Sequence, residues 1–415
     1  MIRAPINRLF AGLALTAIAS APAAADEIFV GQIKDISGPT SVVGKVYAQG
    51  ALDALNWINA NGGVNGKPIE FESIDYSYKA PQAISAYKKW TSRRNVAAIQ
   101  GWGTADTEAL VKFIARDEIP YFSASYSGHL TDPTGAGPKT KTPAPYNFFY
   151  GPSYSDGCRG LVQWAAQDWK ANGNADAPKF VHMGDNHPYP NAPKEACALY
   201  AEELGFEILN SIVFSLSPGD FKAQCLTLNE SGANYAFLAN TGGSVISLLK
   251  SCQTVGTEVQ FMANVWGYDE NVMEAAGDAA NGVVFVVGSI QWGDDVPGMA
   301  LVREISKMSD PNGEQARSIH FMRGICSVFF MKEALEWADT NGGITGANVK
   351  RGMENRENWV PVGLEGVCLP STWTETDHRG TTTVKIYRGT VTADDQSMES
   401  IDTVELERRP EWLGL

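Results

Sequence analysis

Four short loops concentrate the hydroxyls, glycines and aromatic rings with which a protein holds a polar small molecule. They are Gly101-Trp102-Gly103-Thr104, Ser123-Ala124-Ser125-Tyr126-Ser127-Gly128, Gly184-Asp185-Asn186-His187-Pro188-Tyr189 and Asn240-Thr241-Gly242-Gly243. Each follows a short apolar run. Small residues let backbone N–H groups approach an oxyanion, and the hydroxyls add further donors. The same residues also make ordinary strand-to-helix turns, with Thr104 or Asp106 as a helix cap. What the loops lack is a reaction. Ser125 and His187 are the only beginnings of a nucleophile–base pair, and G-x-S-x-G, H-E-x-x-H and G-x-x-x-x-G-K-[ST] are all absent. The five histidines are scattered and no C-x-x-C occurs, so neither a zinc site nor another cofactor is expected.

The elements that must position these loops alternate along the chain. Strand Ile28–Ile33 leads through Ser37-Gly38-Pro39 to a helix over Gly44–Asn59, and Gly62-Gly63-Val64 turns into strand Ile69–Asp75. Helix Pro81–Arg93, strand Val96–Ile99, a helix ending at Arg116 and strand Pro120–Ser123 follow. Between Leu130 and Tyr146 the periodicity lapses into Pro, Gly, Thr and Lys, the composition of a long loop. A second series then runs through helix Ser155–Lys170, strand Lys179–Met183, helix Ala192–Leu204 and strand Glu207–Val213. A helix capped by Ser217-Pro218-Gly219-Asp220, strand Tyr235–Ala239, helix Gly243–Val255 and strands Gln260–Ala263 and Gly282–Val287 complete it. Helix Gly324–Ala338 and strand His378–Tyr387 stand in the less regular last third. Alternation of this kind predicts parallel sheets with helices on both faces, here an α/β fold of two doubly wound lobes.

The ends and the composition bound the setting. Arg3 and Arg8, the apolar run Leu9–Ile18 and Ala23-Ala24-Ala25 describe a secretory signal over residues 1–25, too short for a membrane span. Cleavage after Ala25 removes two arginines and no acid, taking the net charge from −14 to −16. Such a surface repels nucleic acid and anionic lipid. Roughly 390 residues remain, more than one hydrophobic core usually serves, so two domains are expected. Six cysteines in an exported chain suggest disulfides. Cys225 and Cys252 form the best local pair, because right-handed crossovers set their helices side by side on one sheet face.

The pattern Ser37-Gly38-Pro39, Gly44, Gly50-Ala51, Asn59 and Gly62-Gly63-Val64-x-Gly66 within Gly31–Phe71 resembles the periplasmic solute-binding proteins of the leucine/isoleucine/valine-binding type. The resemblance implies a type I periplasmic binding fold with three hinge crossings, near Tyr150, Val286 and Thr381, and a ligand cleft between the lobes. Lobe 1 would hold 26–149 and 287–380, and lobe 2 would hold 150–286 and 381–400, with 401–415 as a tail. It implies ligand contacts at Trp102, Thr104, Ser125, Tyr126, Ser127, Tyr189, Thr241 and Trp266. It also implies a monomer in the periplasm that serves the permease subunits of an ABC importer, without membrane insertion and without catalysis.

Two departures bear on the ligand. Amino-acid-binding members of that family place a glutamate after the strand matching Gln260–Ala263, where this chain reads Asn264-Val265-Trp266-Gly267-Tyr268. An aromatic expected near the first loop is replaced by Val43. A buried ammonium without a counter-charge costs several kcal/mol. The expected solute is therefore a small carboxylate, an amide or an aromatic acid, covered by Trp102 and Trp266, with Trp292 as a further cleft candidate. The competing readings are an exported hydrolase working in the same cleft and a receptor for a periplasmic signalling system.

Overall fold

The computed structural model describes residues 1–2, 27–392 and 395–415, so the expected signal segment lies outside the described residues from its third residue on. The first series comprises β1 (Ile28–Lys34), α1 (Ser41–Ala60), β2 (Ile69–Asp75), α2 (Ala80–Thr91), β3 (Val96–Gln100), α3 (Thr104–Asp117), β4 (Tyr121–Phe122) and β5 (Asn147–Phe148). The second runs α4 (Tyr154–Ala171), β6 (Lys179–Gly184), α5 (Pro188–Asn191), α6 (Lys194–Glu203), β7 (Glu207–Ile208), β8 (Ile212–Val213), α7 (Lys222–Ser231), β9 (Tyr235–Leu238), α8 (Gly242–Thr254), β10 (Gln260–Ala263), α9 (Glu270–Ala276) and β11 (Val284–Val287). The last third supplies α10 (Met299–Ser306), α11 (Ile319–Thr340), α12 (Gly346–Glu354), β12 (Thr383–Val391) and β13 (Gln396–Glu405).

The strands form two sheets. One has five parallel strands in the order β2-β1-β3-β4-β5. The other has the order β13-β12-β11-β10-β9-β6-β7, with β8 also pairing β6. Its inner strands are parallel, whereas β12 runs antiparallel to both β11 and β13. β1 is buried on both faces as far as Ile33, as a central strand covered by helices on each side must be. The chain passes between the sheets three times, after β5, after β11 and just before β12.

Several boundaries differ from the sequence expectation for identifiable reasons. The single strand over Glu207–Val213 is two short pieces, which pair with different ends of β6. The helix expected over Ala192–Leu204 starts at Lys194, directly after Pro193, as α6, and the separate short helix α5 precedes it. The helix expected to start at Ser217–Asp220 begins at Lys222, after Asp220 accepts its backbone N–H. The segment expected as a tail from 401 carries the second half of β13, and Trp412 packs on Tyr200 and Arg159.

In the first lobe α1 crosses α11 with backbone against backbone. A Cβ on Gly50 would collide with the carbonyl of Phe321, and one on Gly324 with that of Tyr47. Only glycine permits this approach, and the two helices bring Tyr47 and Arg323 against Trp266. Three disulfides tie local units: Cys158–Cys197, the expected Cys225–Cys252, and Cys326–Cys368. Among the described residues no helix is long and apolar enough to cross a membrane.

Candidate functional site

The C-terminal rims of the two sheets face one another, as parallel strands feeding helix N-termini dictate. Between them lies a small cavity of about 10 Å³ lined by Thr40, Tyr78, Trp102, Gly103, Thr104, Ala124, Tyr154, Tyr189, Thr241 and Trp266. Thr40, Thr104 and Thr241 stand at the N-termini of α1, α3 and α8, where unpaired N–H groups favour oxygen ligands. No acidic or basic side chain lines the cavity.

The first-lobe wall is tightly braced. Asp35, fully buried, accepts from the Gly38 N–H (2.6 Å), the Thr40 N–H (3.0 Å) and the Thr40 hydroxyl (2.6 Å). Trp102 Nε1 donates to Thr40 Oγ1 at 2.9 Å, which fixes the indole against the loop. Thr104 Oγ1 pairs with Ser125 Oγ at 2.8 Å. Behind Gly103, the Tyr76 hydroxyl donates to Asp106 Oδ1 at 2.7 Å, and the buried Oδ2 has no partner. Burial pushes the Asp106 carboxyl up to about 7.

The second-lobe wall is built around Asn264. Its Oδ1 accepts from the Tyr189 hydroxyl (2.8 Å) and the Trp266 N–H (2.8 Å), and its Nδ2 donates to the carbonyls of Leu238 and Asn240. This amide therefore sets the rings of Tyr189 and Trp266. Trp266 Nε1 in turn donates to the Tyr154 hydroxyl at 3.0 Å. The Thr241 hydroxyl is buried without a partner.

Aromatic rings close the cleft from both sides. Trp102 and Trp266 lie 5.1 Å apart between ring centres, Tyr47 meets both at 5.3 and 5.6 Å, and Tyr78 meets His187 at 5.1 Å. Polar contacts from the second lobe also hold the start of α11. Ser318 Oγ donates to Asp269, and the Ile319 N–H donates to Glu270 Oε2 at 3.2 Å. Burial raises both carboxyls, that of Glu270 to about 7.

Of the residues singled out in the sequence, Trp102, Thr104, Tyr189, Thr241 and Trp266 meet at the cavity. The other three do not line it. Ser125 supports Thr104, Ser127 caps a short turn and donates to Glu108, and Tyr126 lies behind Trp266 with its ring 5.5 Å away. Trp292 stacks on Arg303 instead of entering the cleft. The aromatic missing at Val43 is supplied one helical turn later by Tyr47. Sequence reasoning missed Thr40, Tyr78 and Tyr154, although Thr40 directly follows the Ser-Gly-Pro turn. Ser125 and His187 are each engaged elsewhere, with His187 Nδ1 accepting the Tyr189 N–H. Among the described residues no three His, Cys, Asp or Glu side chains gather as a metal site requires.

The periplasmic binding protein family profile matches residues 27–396. A leucine-, isoleucine-, valine-, threonine- and alanine-binding protein of Pseudomonas aeruginosa is 23% identical over 311 residues, which is 74% of this chain and 79% of that protein. The crystal structure of an ABC transporter substrate-binding protein from Aeropyrum pernix superposes with a TM-score of 0.80 at 26% identity, over 93% of this chain and 98% of that one. A branched-chain amino acid ABC transporter protein from Thermus thermophilus, solved with bound valine, superposes at 0.78 and 21% identity, over 91% and 97%.

Proposed function

The chain belongs to the periplasmic binding protein family, and on that premise we propose that it captures a small solute between its lobes in the periplasm and hands it unchanged to an ABC importer permease. The observation that carries this reading is the cavity itself. Strand-end loops of both sheets converge on one small cavity rich in hydroxyls, helix N-termini and aromatic rings, with no nucleophile–base pair in its lining. Closure around a solute excludes water from its polar groups and creates a composite surface for a permease to read.

The solute in this proposal is a carboxylate, an amide or an aromatic acid. Trp266 occupies the place where the relatives that bind amino acids are expected to carry an acid, so an ammonium would meet a ring edge and a threonine hydroxyl in place of a counter-charge. Trp102, Thr104, Tyr189, Thr241 and Trp266 are the proposed direct contacts.

A thermal-shift screen of branched-chain amino acids, short carboxylates, amides and aromatic acids tests this, followed by recovery of the bound solute. A ligand at a hundred times its Kd adds about 2.7 kcal/mol of stability. The expected hit shifts tryptophan fluorescence, comes back chemically intact, and binds more weakly to Trp102→Ala and Trp266→Ala. Turnover of the solute overturns the receptor reading, and strongest stabilisation by leucine or valine overturns the ligand class.

A further inference from the structure

Behind Trp266, at the hinge end of the cleft, lies a cluster of buried polar atoms that nothing in the fold satisfies. Arg323 of α11 is fully buried, and both its hydrogen bonds leave from Nη1, to the Val265 carbonyl at 2.8 Å and to His320 Nδ1 at 3.2 Å. Nε and Nη2 have no partner, and neither do the hydroxyls of Tyr126 and Tyr47. Burial holds His320 well below its usual range, so the imidazole is neutral and supplies no counter-charge. The Asp269 carboxylate is 3.7 Å beyond it, on His320 Nε2, and is engaged by Ser318. Among the described residues the guanidinium forms no ion pair. Its compensation is the face of Trp266, 3.7 Å from Cζ, and that of Tyr126 at 4.9 Å.

The two free nitrogens are informative together. Nε and Nη2 are the parallel donors on one edge of the guanidinium fork, the edge that grips a carboxylate with two bonds. That edge borders the hinge crossings, where side chains are missing. A Cβ on Gly288 would stand 3.3 Å from Nε, and one on Gly151 would stand 3.4 Å from the Tyr126 ring. Gly151 also holds a φ of +106°, which an L side chain resists. Buried unsatisfied donors are rare in native proteins and call for an occupant.

We propose that the Nε/Nη2 edge of Arg323, with the hydroxyls of Tyr126 and Tyr47, is the carboxylate receptor of this cleft, so that the captured solute is a carboxylic acid with an apolar or aromatic body. The inference rests on the solute-receptor reading and narrows it. Arg323 belongs to the first lobe, whereas Trp266 and Val265 belong to the second. Opening the lobes lifts the indole off the guanidinium and exposes the fork, and closing them seals the carboxylate in.

The test is isothermal titration of the full mature chain with benzoate, phenylacetate and octanoate, each against its neutral amide, at constant chloride. Chloride titration at fixed ionic strength separates a solute carboxylate from a free inorganic anion. Wild type should bind at least one acid over its amide by thirtyfold or more. Arg323→Gln should abolish that preference, Arg323→Lys should restore part of it, and Tyr126→Phe should weaken the acid several-fold more than the amide. If Arg323→Gln fails to fold, Tyr126→Phe and Tyr47→Phe, which keep their rings, carry the test. Equal affinity for acid and amide, acid affinity within twofold of wild type in the variants, or displacement by chloride alone overturns the subsite. In each of these outcomes a solute that binds and returns intact leaves the receptor reading standing. Binding of neutral solutes only has the same consequence, whereas conversion of the solute defeats the receptor reading itself.

Discussion

Asp106→Asn reads out the strain built into the first-lobe wall. The carboxyl sits in the first turn of α3 behind Gly103, with one oxygen held by Tyr76 and the other unpartnered. Burial raises it from 3.8 to about 7. Below pH 3.8 the group is protonated in folded and unfolded chains alike and contributes no pH dependence. Between 3.8 and 7 the folded chain keeps a proton that the unfolded chain has released. Stability therefore falls as pH rises through that window, and the whole penalty is present above 7. A shift of about three units at roughly 1.4 kcal/mol each gives about 4 kcal/mol. Asparagine keeps an acceptor for the Tyr76 hydroxyl and cannot ionise. The variant should thus match wild type near pH 4 and exceed it by about 4 kcal/mol at pH 8. Paired urea unfolding curves at both pH values, compared where their slopes agree, measure the difference. A difference that does not change with pH, or a variant less stable at pH 8, refutes the reasoning.

Thr241→Val removes a buried hydroxyl that has no partner in the fold and keeps the side chain's shape. Stability should stay within about 1 kcal/mol of wild type while solute affinity drops roughly five- to tenfold, and unchanged affinity in titration calorimetry removes Thr241 from the site. Replacing Cys326 and Cys368 together by serine opens a loop of sequence separation 42 that contains most of α11. The expected loss is about 2–4 kcal/mol in urea unfolding, and an unshifted midpoint contradicts a stabilising role for this bridge.

Most of the architecture was legible because apolar runs bounded by turn residues are what a parallel sheet requires. Val96–Ile99 and Gln260–Ala263 became β3 and β10 almost residue for residue. The rim loops followed from the same logic, since a strand end that feeds a helix is a ready oxygen-binding place. β13 was missed because it lies at the sheet edge and exposes most of its residues, so no apolar run marks it. Arg323 was missed for the opposite reason. α11 is buried around nearly its whole circumference from Ile319 to Met331, so no stripe singles out the face that looks into the cleft. A lone arginine amid Ile319–Met331 was the available signal, a charge where every neighbour is being withdrawn from water.

The glycine contact between α1 and α11 divides labour between the two jaws of the molecule. With backbones touching at Gly50 and Gly324, Tyr47 and Arg323 ride on one block, and in the proposed receptor they would keep their spacing as the lobes open and close. Trp266, Tyr189 and Thr241 arrive on the other block. In the proposed receptor, change on the arriving jaw would then retune which solute body fits, while the anchor proposed for its head group stays as it was.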